Sequence, residues 1–255
     1  MSVAKAPAGR AGASAEAAES ASGGGAAPSG VVSPGTTGAG AAARGGGLRA
    51  ARRHLCGCDP ALAVLVERIG ACRLVVERGR EPYEALVRAI AHQQLHGRAA
   101  EAILGRMLAL HPGEAFPSPE RVLATDPAVL RACGFSGAKI AAIRDIAHGA
   151  LGGAVPTRRA AARLSDEALV ERLTALRGVG RWTVEMLLIF TLGRPDVLPV
   201  DDFGVREGWR RIQGLDVQPK PAELGRLGVA FAPHRSAAAW YLWRAADEGK
   251  RVAGV

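Results

Sequence analysis

The punctuation of this chain is helical. Asp59-Pro60, Ser118-Pro119 and Asp126-Pro127 each place an N–H-accepting side chain directly before a proline. That pairing starts helices, because the side chain satisfies an orphan N–H of the first turn and proline has none to leave unpaired. Ser136 and Ser165 read as further N-caps, and Gly70, Gly134 and Gly214 stand where helices should stop. Between these marks apolar residues recur at helical spacing: Leu62, Leu65, Val66 and Ile69; Leu86, Val87 and Ile90; Leu169, Leu173 and Leu176. No stretch alternates with period two. The expected class is all-α, with about ten helices joined by short connections.

Residues 1–53 are different. Of the first fifty, 28 are Ala or Gly, none is aromatic, and only Glu16 and Glu19 are acidic. Such a segment cannot bury enough apolar surface to offset its ordering entropy, so 1–53 is expected to be a disordered tail and 54–255 the folded domain. Arg44, Arg49, Arg52 and Arg53 at its end are candidates to meet phosphates. A leader rich in Ser, Ala and Arg also has the composition of an organelle transit peptide; a plain tail is the reading preferred here.

The formal net charge is +9, which points to a polyanionic partner, nucleic acid or an anionic membrane. No apolar run reaches the ~18–20 residues a bilayer span needs, and no secretory signal is expected. The four cysteines, Cys56, Cys58, Cys72 and Cys133, form neither a disulfide framework nor a paired zinc motif. A reducing, cytosolic compartment is therefore expected, at the nucleoid if the source is bacterial. Lysine is scarce: Lys5, Lys139, Lys220 and Lys250 are the whole set.

The most informative stretch is Leu173–Met186, LTALRGVGRWTVEM. One helix ends near Leu176, Gly178-Val179-Gly180 turns the chain, and a second helix starts near Arg181. Glycines two apart permit a tight turn. The N–H groups of the turn and of the new helix's first turn lack internal partners, and together with the helix dipole they form a phosphate seat. Further on, at Leu198-Pro199-Val200-Asp201-Asp202-Phe203, the chain stops at a proline and restarts on an Asp pair. Asp202 lies 22 residues beyond Gly180. An Asp there can simply cap the helix beginning near Phe203.

The combination Gly-Val-Gly-Arg-Trp-Thr followed by Leu-Pro-Val-Asp-Asp resembles the helix-hairpin-helix–Gly/Pro-Asp superfamily of DNA glycosylases, and within it the DNA-3-methyladenine glycosylase II family. AIAHQQLHGRAA from Ala89, GFSGAKIAAIRDIA from Gly134 and PHRSAAAWYLWR from Pro233 resemble further family segments, so the likeness covers about Leu62 to Arg244. It implies two small helical subdomains with an active-site cleft between them; some members add an N-terminal β-domain, and the glycine-rich tail that stands in its place here predicts its absence. Its activity is the removal of alkylated purines, such as 3-methyladenine and 7-methylguanine, from double-stranded DNA in base excision repair.

The resemblance also implies roles. Asp202 is the catalytic carboxylate, facing the positive charge that grows on the sugar as the glycosidic bond breaks. Trp182 stands where strand-cutting relatives place a Schiff-base lysine. With no lysine between Lys139 and Lys220, base release by water is expected and the strand is left uncut. Trp182, Phe203 and Trp243 are the candidate base pocket. Gln94 or Leu95 is the candidate wedge that fills the gap left by a flipped base, with His96 probing neighbouring base edges. Gly178, Val179, Gly180 and Thr183 are expected to hold a phosphate, the last through its hydroxyl. The carbonyls of Thr174, Leu176 and Val179 are the implied ligands of a monovalent cation, Na+ or K+. No cysteine follows Cys133, so no iron–sulfur cluster is expected, and a monomer is. Two alternatives stay open: a glycosylase for oxidised or mismatched bases, which the absent lysine disfavours, and a non-catalytic DNA-binding hairpin module, which Asp202 and the aromatic set disfavour.

Overall fold

A computed structural model of the 255-residue chain describes residues 41–252. Among the described residues there is no strand. Thirteen α-helices run α1 (Ala41–Cys56), α2 (Pro60–Ile69), α3 (Pro82–His92), α4 (Gly97–Ala109), α5 (Pro119–Ala124), α6 (Pro127–Ala132), α7 (Gly137–Leu151), α8 (Arg158–Ala161), α9 (Asp166–Thr174), α10 (Arg181–Met186), α11 (Phe203–Ile212), α12 (Pro221–Leu227) and α13 (Arg235–Val252). A π-helical turn, Leu187–Leu192, prolongs α10, and a 3-10 turn, Gly228–Phe231, follows α12.

The expected helix starts are realised by the expected side chains. Asp59 accepts from Leu62 N at 2.8 Å, Ser118 from Arg121 N at 3.4 Å and Asp126 from Ala128 N at 2.7 Å. Ser136 and Ser165 cap α7 and α9 in the same way. Gly70, Gly134 and Gly214 all have positive φ, the conformation that ends a helix without a Cβ clash.

Helices α3 to α10 form one group: α4, α7 and α10 pack on α3, and α5 and α6 pack on α7. The chain ends supply the other: α11 packs along α13, α1 lies on α2, and α13 also meets α1 and α2. One continuous apolar core joins the groups. The π-helical turn leads from the first to the second, and α11 starts at their junction.

The closest crossing is between α11 and α13. A Cβ added at Gly208 would stand 2.0 Å from the carbonyl oxygen of Leu242, and one at Gly204 would stand 2.8 Å from Trp243 Cδ1. These glycines lie four apart, on one face of α11. They let the two helices meet backbone to backbone at Gly208 and backbone to the Trp243 ring at Gly204.

The expected disordered tail needs correction at its C-terminal end. Residues 1–40 lie outside the described residues, but 41–53 belong to α1. The expected boundary at 53/54 falls inside that helix. Ala51 and Leu55 are buried, with Leu48 packed beside them. Their spacing of three and four gives an apolar stripe that composition alone hides. Arg52 pairs with Glu67 at 2.7 Å, so this arginine is not a free phosphate contact.

Substituting Gly208→Ala is expected to destabilise the fold by about 3 kcal/mol or more, because the contact is with backbone and cannot relax by a rotamer change. Urea unfolding followed by helical circular dichroism measures it. A change within about 0.5 kcal/mol, the usual range for a surface substitution, would show that the α11–α13 crossing is looser than described.

Candidate active site

Asp202 is the N-cap of α11: its Oδ1 accepts from Val205 N at 2.8 Å. The capping role weighed from sequence is therefore real, and it is only part of the role. The same Oδ1 accepts from Trp243 Nε1 at 2.8 Å, and Oδ2 accepts from Trp182 Nε1 at 2.6 Å. One carboxylate thus takes three N–H donors, from α11, α13 and α10. A carboxylate offers about four lone-pair sites, so its position is heavily determined. It is 1 % exposed. Asp201, its neighbour, is exposed.

Local chemistry puts the carboxylate there. The loop from Arg194 to Asp202 is tied to the start of α13. Arg235 forks onto Asp196, with both nitrogens at 2.8 Å. That pairing holds the Asp196 carboxyl below its ordinary range, the Arg235 hydrogen bond being the main cause. Ser236, fully buried, donates to Arg194 O at 2.7 Å and accepts from Val197 N at 3.0 Å. Asp202 N closes a turn onto Pro199 O at 3.0 Å. The Arg-Ser pair that opens α13 is thus the clasp of the loop that delivers Asp202.

The two tryptophans differ in setting. Trp182 sits half-buried in the first turn of α10. Trp243 is buried, and Phe190 from the π-helical turn stacks against it, centroids 5.6 Å apart and planes at 27°. Sequence reading missed Phe190 and Gly204. The glycine is needed because any side chain there would press on Trp243 and on Asp202 Oδ1. Phe203 follows the carboxylate directly and is 48 % exposed.

The hairpin turns as expected, with Gly178 at φ +74. A Cβ there would meet Ala142 of α7 at 3.1 Å and Ile90 of α3 at 3.5 Å, so this glycine serves conformation and close approach together. One expected phosphate ligand needs correction, the N–H of Val179. Thr183, in the first turn of α10, is 4 % exposed as a residue. Val179 is also buried, and its N–H is used within the turn, donating to Leu176 O at 3.2 Å. What remains for a phosphate is the exposed backbone of Gly178 and Gly180 and the first N–H groups of α10, which lack helical partners by construction.

Gln94, Leu95 and His96 are exposed in the connection from α3 to α4. Gln94 has φ +56, the one non-glycine residue at positive φ among the described residues. Leu95 N donates to His92 O at 3.3 Å, which closes a tight turn with Gln94 at its third position. Such a turn normally asks for glycine there. Sequence reading missed the part of Gln93, whose Nε2 donates to Gly178 O at 3.0 Å and joins this loop to the hairpin.

The arrangement is that of a helix-hairpin-helix DNA repair protein: a glycine hairpin, a fixed carboxylate at the start of a later helix, and indoles around it. Residues 87–233 match the family model described as HhH-GPD superfamily base excision DNA repair protein, and the chain belongs to that family. It is 45 % identical to DNA-3-methyladenine glycosylase 1 of Schizosaccharomyces pombe, over 77 % of this chain and 87 % of that protein. A solved structure of the S. pombe 3-methyladenine DNA glycosylase in complex with abasic DNA superposes with a TM-score of 0.71 at 45 % identity, covering 76 % of this chain and 95 % of the other. The DNA-3-methyladenine glycosidase of Bacillus halodurans gives 0.72 at 32 % identity, covering 79 % and 91 %.

One buried acid accompanies the site. Glu185, one turn beyond Trp182, has its carboxyl pushed up to about 7, chiefly by burial, against the opposing pull of Arg181 at 3.2 Å. Its folded value lies above the ordinary 4.5. Its contribution to stability is therefore fully present below pH 4.5 and lost as pH rises through 7. Glu185→Gln stays neutral, and Arg181 keeps Glu167 at 3.1 Å. The substitution should raise the melting temperature relative to the parent increasingly from pH 5 to pH 8. Thermal unfolding across that range checks it; a difference independent of pH would contradict the assignment.

Proposed function

We propose that this chain is a monofunctional DNA glycosylase that hydrolyses the N-glycosidic bond of alkylated purines in duplex DNA and leaves an abasic site. The observation that carries this is the carboxylate of Asp202, buried and held by the indole N–H groups of Trp182 and Trp243. As the bond to the base breaks, positive charge grows on the sugar. A carboxylate fixed in advance stabilises that charge without reorganising, and shielding from water strengthens the effect. Water then completes the substitution at C1′. The names of the relatives, 3-methyladenine glycosylases, support the choice of alkylated purines.

Among the described residues, no amine nucleophile stands beside this carboxylate. Trp182 stands at the position in question, and the Lys139 ammonium is spent on two backbone carbonyls of the α3 end. The backbone should therefore remain unbroken after base release. An alkylated purine already carries positive charge and is a good leaving group. Cationic lesions should accordingly be better substrates than neutral ones such as hypoxanthine. A flipped ring would lie between the exposed edge of Trp182 and Phe203, with Trp243 as the wall behind. The exposed turn Gln94–His96 would fill the vacated stack, while the Gly178–Gly180 backbone holds a phosphate. A monovalent cation on the carbonyls of Thr174, Leu176 and Val179 would add positive charge beneath that phosphate. Leu176 O already accepts from Val179 N, leaving it one lone pair for the ion.

Asp202→Asn should lower single-turnover excision of 7-methylguanine at least about a hundredfold while DNA binding persists, since charge is lost and volume kept. Asp201→Asn should be mild. Released bases are resolved by chromatography, the strand is checked for nicks, and borohydride is added to trap any imine. An essential Asp201, or a trapped adduct, would overturn the proposal.

A further inference from the structure

One cation outside the carboxylate site ties two motifs together. Lys139 lies in the first turn of α7, and its Nζ donates to Ala91 O at 2.8 Å and to Gln93 O at 2.7 Å. An ammonium there sits at the unfavourable end of its own helix dipole. It is used instead at the C-terminal end of α3, whose last carbonyls have no helical partners. Burial lowers its pKa, so the contact is partly withdrawn from water.

The carbonyl of Gln93 belongs to the peptide plane that leads into Gln94. That plane is gripped from below by Lys139, and the Gln93 side chain is gripped from the side by Gly178 O at 3.0 Å. On the far side, His96 O accepts from Ala99 N and Ala100 N and so anchors the start of α4. Between these anchors Gln94 is kept at φ +56. A glycine would adopt that conformation freely; a long amide needs the surroundings to impose it.

We propose that Lys139 is a positioning residue for base-pair opening: by fixing the Gln93 carbonyl it holds the exposed Gln94–His96 tip in register with the hairpin. The inference rests on the reading of that tip as the element that fills the gap left by a flipped base. Lys139 touches no reacting atom. Its effect is confined to the step at which the paired stack is broken.

The test uses single-turnover excision of 7-methylguanine from two duplexes, with the lesion opposite cytosine or opposite a tetrahydrofuran abasic analogue. A 2-aminopurine beside the lesion reports unstacking without excision. Lys139→Met should lower the rate opposite cytosine by up to about a hundredfold, the scale of loss from a misplaced contact remote from the chemistry, and should weaken the 2-aminopurine signal. Opposite the abasic analogue, where little pairing must be broken, the rate should be nearly unchanged. Lys139→Arg, which can still donate to both carbonyls, should restore the paired-lesion rate. In a Gln94→Ala background, Lys139→Met should add little, because both act through one contact. Equal losses on both duplexes, additive losses with Gln94→Ala, or a Lys139→Met chain that fails to fold would each overturn the proposal by making the ammonium a general structural group. If Gln94→Ala itself shows no dependence on the opposite base, it is the reading of the tip that falls.

Discussion

Everything at the centre of this molecule converges on one carboxylate. Asp202 receives its three hydrogen bonds from the first turn of α11, the middle of α13 and the first turn of α10. Two of those helices belong to the group formed by the chain ends and one to the group between them, so the carboxylate is also a joint. Removing one donor would leave a buried acceptor less satisfied and a helix less well placed, which links stability and chemistry at a single atom pair. The helix cap and the catalytic reading are not rivals. The cap fixes where the carboxylate is, and that fixity is what electrostatic stabilisation of a sugar cation requires.

The supports around this joint are small residues and clasps. Gly204 and Gly208 let α13 approach α11 closely enough for the Trp243 N–H to reach Oδ1. Arg235 and Ser236 hold the preceding loop. Phe190 closes the outer face of Trp243, delivered by a helix wound as a π turn, and such turns recur where a helix must aim a side chain. The same economy appears at the second junction, where Gly178 admits Ala142 and Ile90, Gln93 ties the α3–α4 turn to the hairpin, and Lys139 ties it to α7. The two junctions hold the Asp202 carboxylate, the glycine hairpin and the exposed Gln94–His96 turn on one frame.

Much of the fold was legible because helix starts are local. Asp59, Ser118, Asp126, Ser136 and Ser165 each bond an N–H two or three residues on, so the signal lies within a single turn of sequence. The hairpin glycines were legible for a similar reason, spacing plus family pattern, and of the Asp pair it is Asp202 that is buried and Asp201 that is exposed. The end of the presumed tail was misread because Leu48, Ala51 and Leu55 sit in an Ala/Gly-rich context, and only the presence of α2 and α13 beside them makes α1 worth forming.

The sequence by itself determined the helical class, the glycine turn between two helices, the Asp pair that precedes α11 and the absence of any lysine between Lys139 and Lys220. These follow from residue identity and short-range geometry. Only the tertiary structure decided how the site is held. The Trp243–Asp202 contact spans 41 residues, Trp182–Asp202 spans 20 and Gln93–Gly178 spans 85. Nothing local marks an indole as a donor to a distant carboxylate, or the N–H of Val179 as used within its own turn. Those outcomes depend on which helix faces pack together, and that is settled by the whole core at once.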